Sequence, residues 1–133
     1  MNTKLGYVIL YVSSVPEAMD FYEKAFGLTR RFLHESGDYG EMETGATTLS
    51  FTSHELGKKA VPVSYRKTTV REQPPGFELS LVSDNVDGLW EKAVASGAEA
   101  LSEPHDEPWG QRVAYVRDHE GNLVGIVSPV GAS

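Results

Sequence analysis

VRDHEGNLVGI, residues 116–126, is the stretch whose reading decides the fold. A charged run, Arg117-Asp118-His119-Glu120, gives way to Gly121-Asn122 and then to an apolar tail. Asp, His and Glu side by side could hold a metal or move protons. The same letters also make a tight turn, with Gly121 or Asn122 in the left-handed conformation. Strand candidates flank the run, near 111–117 and 123–128, and favour the turn. Gly125 is then the oddity, because a strand gains nothing from a glycine. It marks either a bulge or a place where something bulky needs room.

Two helices stand out upstream. In SSVPEAMDFYEKAFG (13–27), Ser14 and Glu17 form a capping box, and Pro16 suits the first turn. Val15, Ala18, Met19, Tyr22, Ala25 and Phe26 make an apolar stripe that Gly27 ends. In SDNVDGLWEKAVASG (83–97), Asp84 is the expected cap, with a stripe of Val86, Leu89, Trp90, Ala93 and Val94. A strand precedes each helix, YVILYV (7–12) and FELSLV (77–82), and three candidates follow each. They lie near 28–35, 39–43 and 47–53 in the first half, and near 98–102, 111–117 and 123–128 in the second. Each half is thus a β-α-β-β-β module: 4–54 and 76–130, in a single domain of 1–133. The connector, 55–75, is polar and poorly periodic, with room for one irregular strand.

The 133 residues suffice for one ordinary domain, and without cysteine there is no disulfide, thiolate metal site or Cys nucleophile. A net charge of −7 argues against a nucleic-acid partner. No apolar run is long enough to span a membrane, and the polar N-terminus lacks a signal-peptide core, so the expected location is cytoplasmic. No P-loop, dinucleotide fingerprint or nucleophile elbow is present.

The duplicated module, its opening GYVILYVSSVPEAMDFYEKAFGL (6–28) and its close WGQRVAYVRDHEGNLVGI (109–126) resemble the vicinal oxygen chelate superfamily. That group includes glyoxalase I, extradiol dioxygenases and bleomycin-resistance proteins. The most specific pieces are Phe21-Tyr22 five residues before Gly27, and the Asp118-to-Asn122 turn. The resemblance implies an α+β fold in which the two modules form a cup-shaped, eight-stranded mixed sheet around a ligand site. It also implies a homodimer and four metal-ligand positions, two per module, on the first and last strands. Those positions fall on Tyr7, Ser50, Glu78 and Gly125, where enzymes of the group carry His, Glu or Gln, His and Glu. A phenol is a poor ligand near neutral pH, a hydroxyl is weaker still, and a glycine offers nothing. No metal or other cofactor is therefore expected, and the likeness is closest to the metal-free bleomycin-resistance type.

Strand alternation then selects a cup face of Tyr7, Ile9, Tyr11, Thr48, Ser50, Thr52, Glu78, Ser80, Val82, Gln111, Val113, Tyr115, Leu123, Gly125 and Val127. Trp109 borders it, as the resemblance implies. Aromatic and hydroxyl groups around one carboxylate suit a small organic ligand. Glu78, flanked by Phe77 and Leu79, is the candidate general base or partner for a ligand cation. The four histidines lie at strand ends or in loops, off the ligand positions. The expected function is binding and sequestering an aromatic or cationic compound, in the manner of antibiotic resistance. The competing expectation is an enzyme of the same fold, a lyase, isomerase or dioxygenase relative. It would use Glu78 as base, or an unrecognised divalent metal.

Overall fold

The computed structural model describes residues 1–131, which form two compact units, Met1–Lys67 and Thr68 onward. In the first unit β1 (Tyr7–Val12), α1 (Val15–Phe26), β2 (Thr29–Leu33), β3 (Tyr39–Glu43) and β4 (Thr48–Ser53) follow in order. The strands pair as β1-β4-β3-β2, with β1 and β4 parallel and the other pairs antiparallel. A short α2 (His54–Ala60) closes the unit. The second unit repeats the plan with β5 (Glu78–Val82), α3 (Val86–Ala95), β6 (Glu99–Asp106), β7 (Arg112–Arg117) and β8 (Leu123–Val127). Its order is β5-β8-β7-β6, again with the outer pair β5–β8 parallel. The fold is α+β, built from two β-α-β-β-β modules, each with its own four-stranded mixed sheet.

Each helix covers one face of its sheet. The α1 stripe expected from the sequence is buried without exception, against Leu10, Val12, Met42, Leu49 and Phe51. Tyr22 sits at its centre, with its ring 5.2 Å from that of Phe51 and 5.1 Å from that of Phe26. Emptying that position would cost roughly 3–5 kcal/mol. Ser14 Oγ accepts from the Glu17 N–H at 3.3 Å, and Gly27 ends the helix at φ 70°. Arg30 reaches back from β2 to Asp20 and Glu23 on the same helix. In the second unit Val86 and Ala93 are the buried helix positions, above Ala114, Val116, Val124 and Ile126.

Three expectations are corrected. The cap of α3 is Asn85, not Asp84: the Asn85 Oδ1 accepts from the Gly88 N–H at 3.0 Å, the N3 position that a cap serves. The connector holds a helix, not a strand. Ser53 Oγ caps α2 through the Leu56 N–H at 3.1 Å, with Glu55 in its first turn and Lys58 and Lys59 in its last. Finally, β6 runs to Asp106 instead of stopping near 102, which puts His105 on a strand.

The opening stretch is a turn. Asp118 is buried, and its Oδ1 accepts three backbone N–H groups, from Glu120, Gly121 and Asn122, at 2.8–2.9 Å. Its Oδ2 accepts from the Asn122 side chain at 3.0 Å. Gly121 takes the left-handed conformation at φ 103°. Buried Arg117 clamps the outside, donating to the carbonyls of Gly121, Thr69 and Val70. Every letter of the charged run is thus accounted for by chain reversal, apart from the side chains of His119 and Glu120.

Candidate ligand faces of the two modules

Strand register lays out the face of each sheet opposite its helix. In the first unit, Tyr7 and Thr48 form one row across the strands, and Ile9, Ser50, Glu41 and Phe32 the next. Tyr11, Thr52 and Tyr39 form the third. In the second unit, Glu78, Leu123, Arg117 and Glu99 form the first row. Ser80, Gly125, Tyr115 and Ser102 form the second, and Val82, Val127, Val113 and His105 the third. Ser50 and Gly125 occupy equivalent ladder positions, each opposite the residue two beyond Tyr7 or Glu78. Tyr7 and Glu78 likewise begin equivalent strands of the two modules.

Burial divides these residues. Tyr7 is 54% exposed, Ile9 42% and Trp109 62%, which leaves apolar surface open to a ligand. Ser80 is exposed and Tyr11 and Tyr115 are half-buried. Ser50, Thr52, Val113 and Gly125 are buried, so they form the floor of their faces and not the contact surface. Gln111 lies just before β7: its Nε2 donates to the Ser128 carbonyl at 2.9 Å, and its Oε1 accepts from Trp109 Nε1 at 2.8 Å. It positions Trp109.

The first face carries a polar network that alternation misses. β2 bulges between Arg30 and Phe32, which turns Arg31 onto the open face. Its guanidinium forks onto Glu43 at 2.9 and 3.3 Å and reaches Glu41 at 3.2 Å and Thr48 at 3.0 Å. Glu41 also accepts from the Tyr39 hydroxyl at 2.7 Å. Burial chiefly, with the Glu41 carboxylate adding to it, pushes the Tyr39 phenol up. Both carboxylates of this face are therefore tied up internally.

The second face is different. The Glu78 side chain is laid over Gly125, and a Cβ there would overlap Oε2 and come within 3.0 Å of Cδ. Ser80 Oγ is close by, 3.4 Å from the same point. Gly125 therefore makes room, and what fills the room is Glu78. Its carboxylate is exposed and makes no hydrogen bond or ion pair among the described residues. Of its two flanking residues, Phe77 is exposed and Leu79, on the helix side, is half-buried, so no apolar enclosure surrounds Glu78. Tyr115 stands beside it, its phenol pushed up by burial and then by the charges of Glu78 and Glu107. His105 shares the face. Its Nδ1 lies 2.8 Å from the Glu103 carbonyl and its Nε2 2.7 Å from the Glu107 carboxylate. Two acceptors demand two protons, so the imidazolium is favoured and the pKa is raised, by Glu103 first and Glu107 next. Tyr115 was among the sequence candidates for the site; His105, Glu103 and Glu107 were not.

A family model described as the Glyoxalase/Bleomycin resistance protein/Dioxygenase superfamily matches residues 4–126. The chain belongs to this superfamily. It is 27% identical over 124 residues to the uncharacterized protein YraH of Bacillus subtilis, covering 92% of this chain and 96% of the relative. Among solved structures, a glyoxalase-related enzyme from Fulvimarina pelagi superposes with a TM-score of 0.81 at 20% identity, covering 98% of this chain and 94% of the other. TioX from Micromonospora gives 0.70 at 19% identity, covering 95% and 98%. A lactoylglutathione lyase from Agrobacterium tumefaciens gives 0.68 at 21%, covering 96% and 95%. At these identities the structural likeness establishes the fold alone.

The metal that the superfamily's enzymes use does not fit this donor set. The four positions supply a phenol, a buried hydroxyl, one carboxylate and a glycine whose side-chain space that carboxylate fills. No three His, Asp or Glu side chains gather at metal-binding spacing among the described residues. No helix among them is long and apolar enough to cross a membrane.

Proposed function

We propose that the open faces bind a small organic compound, aromatic or cationic, without a resident metal, and that the chain works as a homodimer that sequesters this compound. The observation that carries the reading is the Glu78–Gly125 arrangement, which puts a carboxylate without an internal partner where a metal-ligand pair would stand, on a face that also carries Ser80 and Tyr115. An ammonium group finds a charge partner in Glu78, a hydroxyl in Ser80, and aromatic surface in Tyr115. The first face, its charges satisfied by Arg31, offers Tyr7 and Ile9 to apolar matter.

The test begins with the metal content of purified protein after incubation with excess nickel, zinc, manganese and iron(II). A thermal-shift screen of aromatic cations on wild type and Glu78→Gln follows. Metal-free protein that binds such a compound, about tenfold more weakly once Glu78 is neutral, supports the reading. Stoichiometric retained metal overturns it. A second reading, proton transfer with Glu78 as base, draws on Tyr115 and His105 as acids on the same face. Turnover, as opposed to saturable binding alone, separates the two.

A further inference from the structure

The basic residues of this acidic chain are unevenly placed. Lys58, Lys59, Arg66, Lys67 and Arg71 are five of its twelve, and no Asp or Glu falls between Glu55 and Glu72. Part of this stretch folds around a concavity of about 390 Å³ lined by Lys58, Val61, Pro62, Val63, Ser64, Tyr65 and Lys67. Its wall thus holds two ammonium groups, no carboxylate, three aliphatic side chains and one aromatic ring. We propose that this concavity is a ligand site separate from the sheet faces, and that it takes an amphipathic anion: an aromatic or branched body with one carboxylate, sulfonate or phosphate head.

Tyr65 gives the site its rigidity. The ring stacks 5.0 Å from that of Tyr11, and the hydroxyl lies 2.7 Å from Nδ1 of buried His54. Gly57 lets both tyrosines approach the helix, since a Cβ there would come within 2.8 Å of Tyr11 Cδ1 and of the Tyr65 hydroxyl. A fixed aromatic wall loses little freedom when a ligand stacks on it. Val63, 69% exposed, supplies apolar surface that its own fold leaves uncovered. The volume lies at the lower end for small-molecule pockets, roughly 300–1,000 Å³.

Charge decides on which side of the two lysines the head group sits. A neighbouring cavity of about 370 Å³ shares Lys58 and Lys67, but Asp38 and Glu55 line it as well. An anion is repelled there. On the Val61–Tyr65 side only the lysines face it, and neither makes a hydrogen bond or ion pair among the described residues.

The probe is 8-anilinonaphthalene-1-sulfonate, titrated by fluorescence, with neutral N-phenyl-1-naphthylamine as its uncharged counterpart. Amide chemical shifts report where it binds. Saturable one-site binding is expected, with shifts in 57–67 and a dissociation constant raised about tenfold in Lys58→Gln/Lys67→Gln. The charge-matched variant Lys24→Gln/Lys92→Gln should leave it unchanged. Equal binding of the neutral probe, equal losses in both double variants, shifts on β1, β4, β5 or β8 instead, or no binding at all overturns the proposal.

Discussion

Replacing Asp118 by alanine tests whether the Asp-His-Glu run is a turn or a reactive cluster. The carboxylate is 2% exposed and accepts three backbone N–H groups and one side-chain amide, all within 3.0 Å. Alanine leaves four donors without their acceptor. A donor left unsatisfied in a buried position costs about 1–3 kcal/mol, but the half-buried Glu120 N–H regains water, and losses within one network do not add fully. A total near 3 kcal/mol follows. With an unfolding entropy of about 2.1 cal/mol/K per residue, a chain of this length loses roughly 11 °C in Tm. Asp118→Asn keeps one acceptor oxygen and should lose less than half as much. Urea denaturation followed by circular dichroism measures both. An alanine variant within about 1 kcal/mol of wild type, or an asparagine variant as damaged as alanine, would refute the turn account.

Glycine positions separate cheap overlaps from expensive ones. Gly125→Ala meets only the end of the exposed Glu78 side chain, which swings aside, so stability should stay within about 0.5 kcal/mol while binding of a cationic compound weakens. A loss above about 2 kcal/mol would show Glu78 to be locked in place. Gly57→Ala gains about 1 kcal/mol of helix propensity but meets the ring of Tyr11 and the pinned hydroxyl of Tyr65. Overpacking of about 1–3 kcal/mol should win, leaving a lower denaturation midpoint. His105, raised by Glu103 and Glu107, adds stability below the ordinary histidine pKa, and that contribution is lost as pH rises through the higher folded value. An NMR titration should place its midpoint above that of a free imidazole, and Glu107→Gln should lower it. Asp87, held below the usual carboxylate range by its hydrogen bond to Arg112, has the opposite sign. Its contribution is present above the unfolded pKa and lost as pH falls through the folded one, so Asp87→Asn should flatten the acid limb of the stability profile.

The helices were legible because their stripes are long and their ends are marked. Ser14, Pro16 and Gly27 sit where helix termini need them, and Tyr22, Ala25 and Phe26 complete a buried ridge. α2 escaped notice because seven residues are too few for periodicity, and Gly57 within them looks like a breaker. The second half of β6 escaped because Ser-Glu-Pro-His reads as loop; an edge strand tolerates Pro104, and two register shifts absorb the irregularity. The same limit hid part of the site. Alternation places residues only where a strand keeps its parity, and the bulge at Arg31 breaks it. Arg30 and Arg31 are neighbours with the same side chain, yet one binds α1 and the other crosses the open face. Glu41, Tyr39 and His105 lie on strands that the inferred ligand positions do not visit, and Glu107 lies just past the end of β6, so nothing in the resemblance drew attention to them.

The two modules solve one problem in two ways. At equivalent ladder positions, opposite the residue two beyond Tyr7 or Glu78, the first module carries a buried serine and the second a glycine. The first module has nevertheless kept acidic groups on its face, Glu41 and Glu43, and neutralised them with one arginine turned inward by a bulge. The second has no such arginine: Arg117 shares the face by register but is spent on three backbone carbonyls of the turn region. Glu78 is left without an internal partner among the described residues, held over a residue that has no side chain to compete with it. That asymmetry is hard to derive from stability, since an exposed unpaired carboxylate adds nothing to the folded state and a mid-strand glycine weakens it by about 0.5–1 kcal/mol. It fits the proposed ligand-facing charge, which needs freedom from internal ion pairs and space to approach.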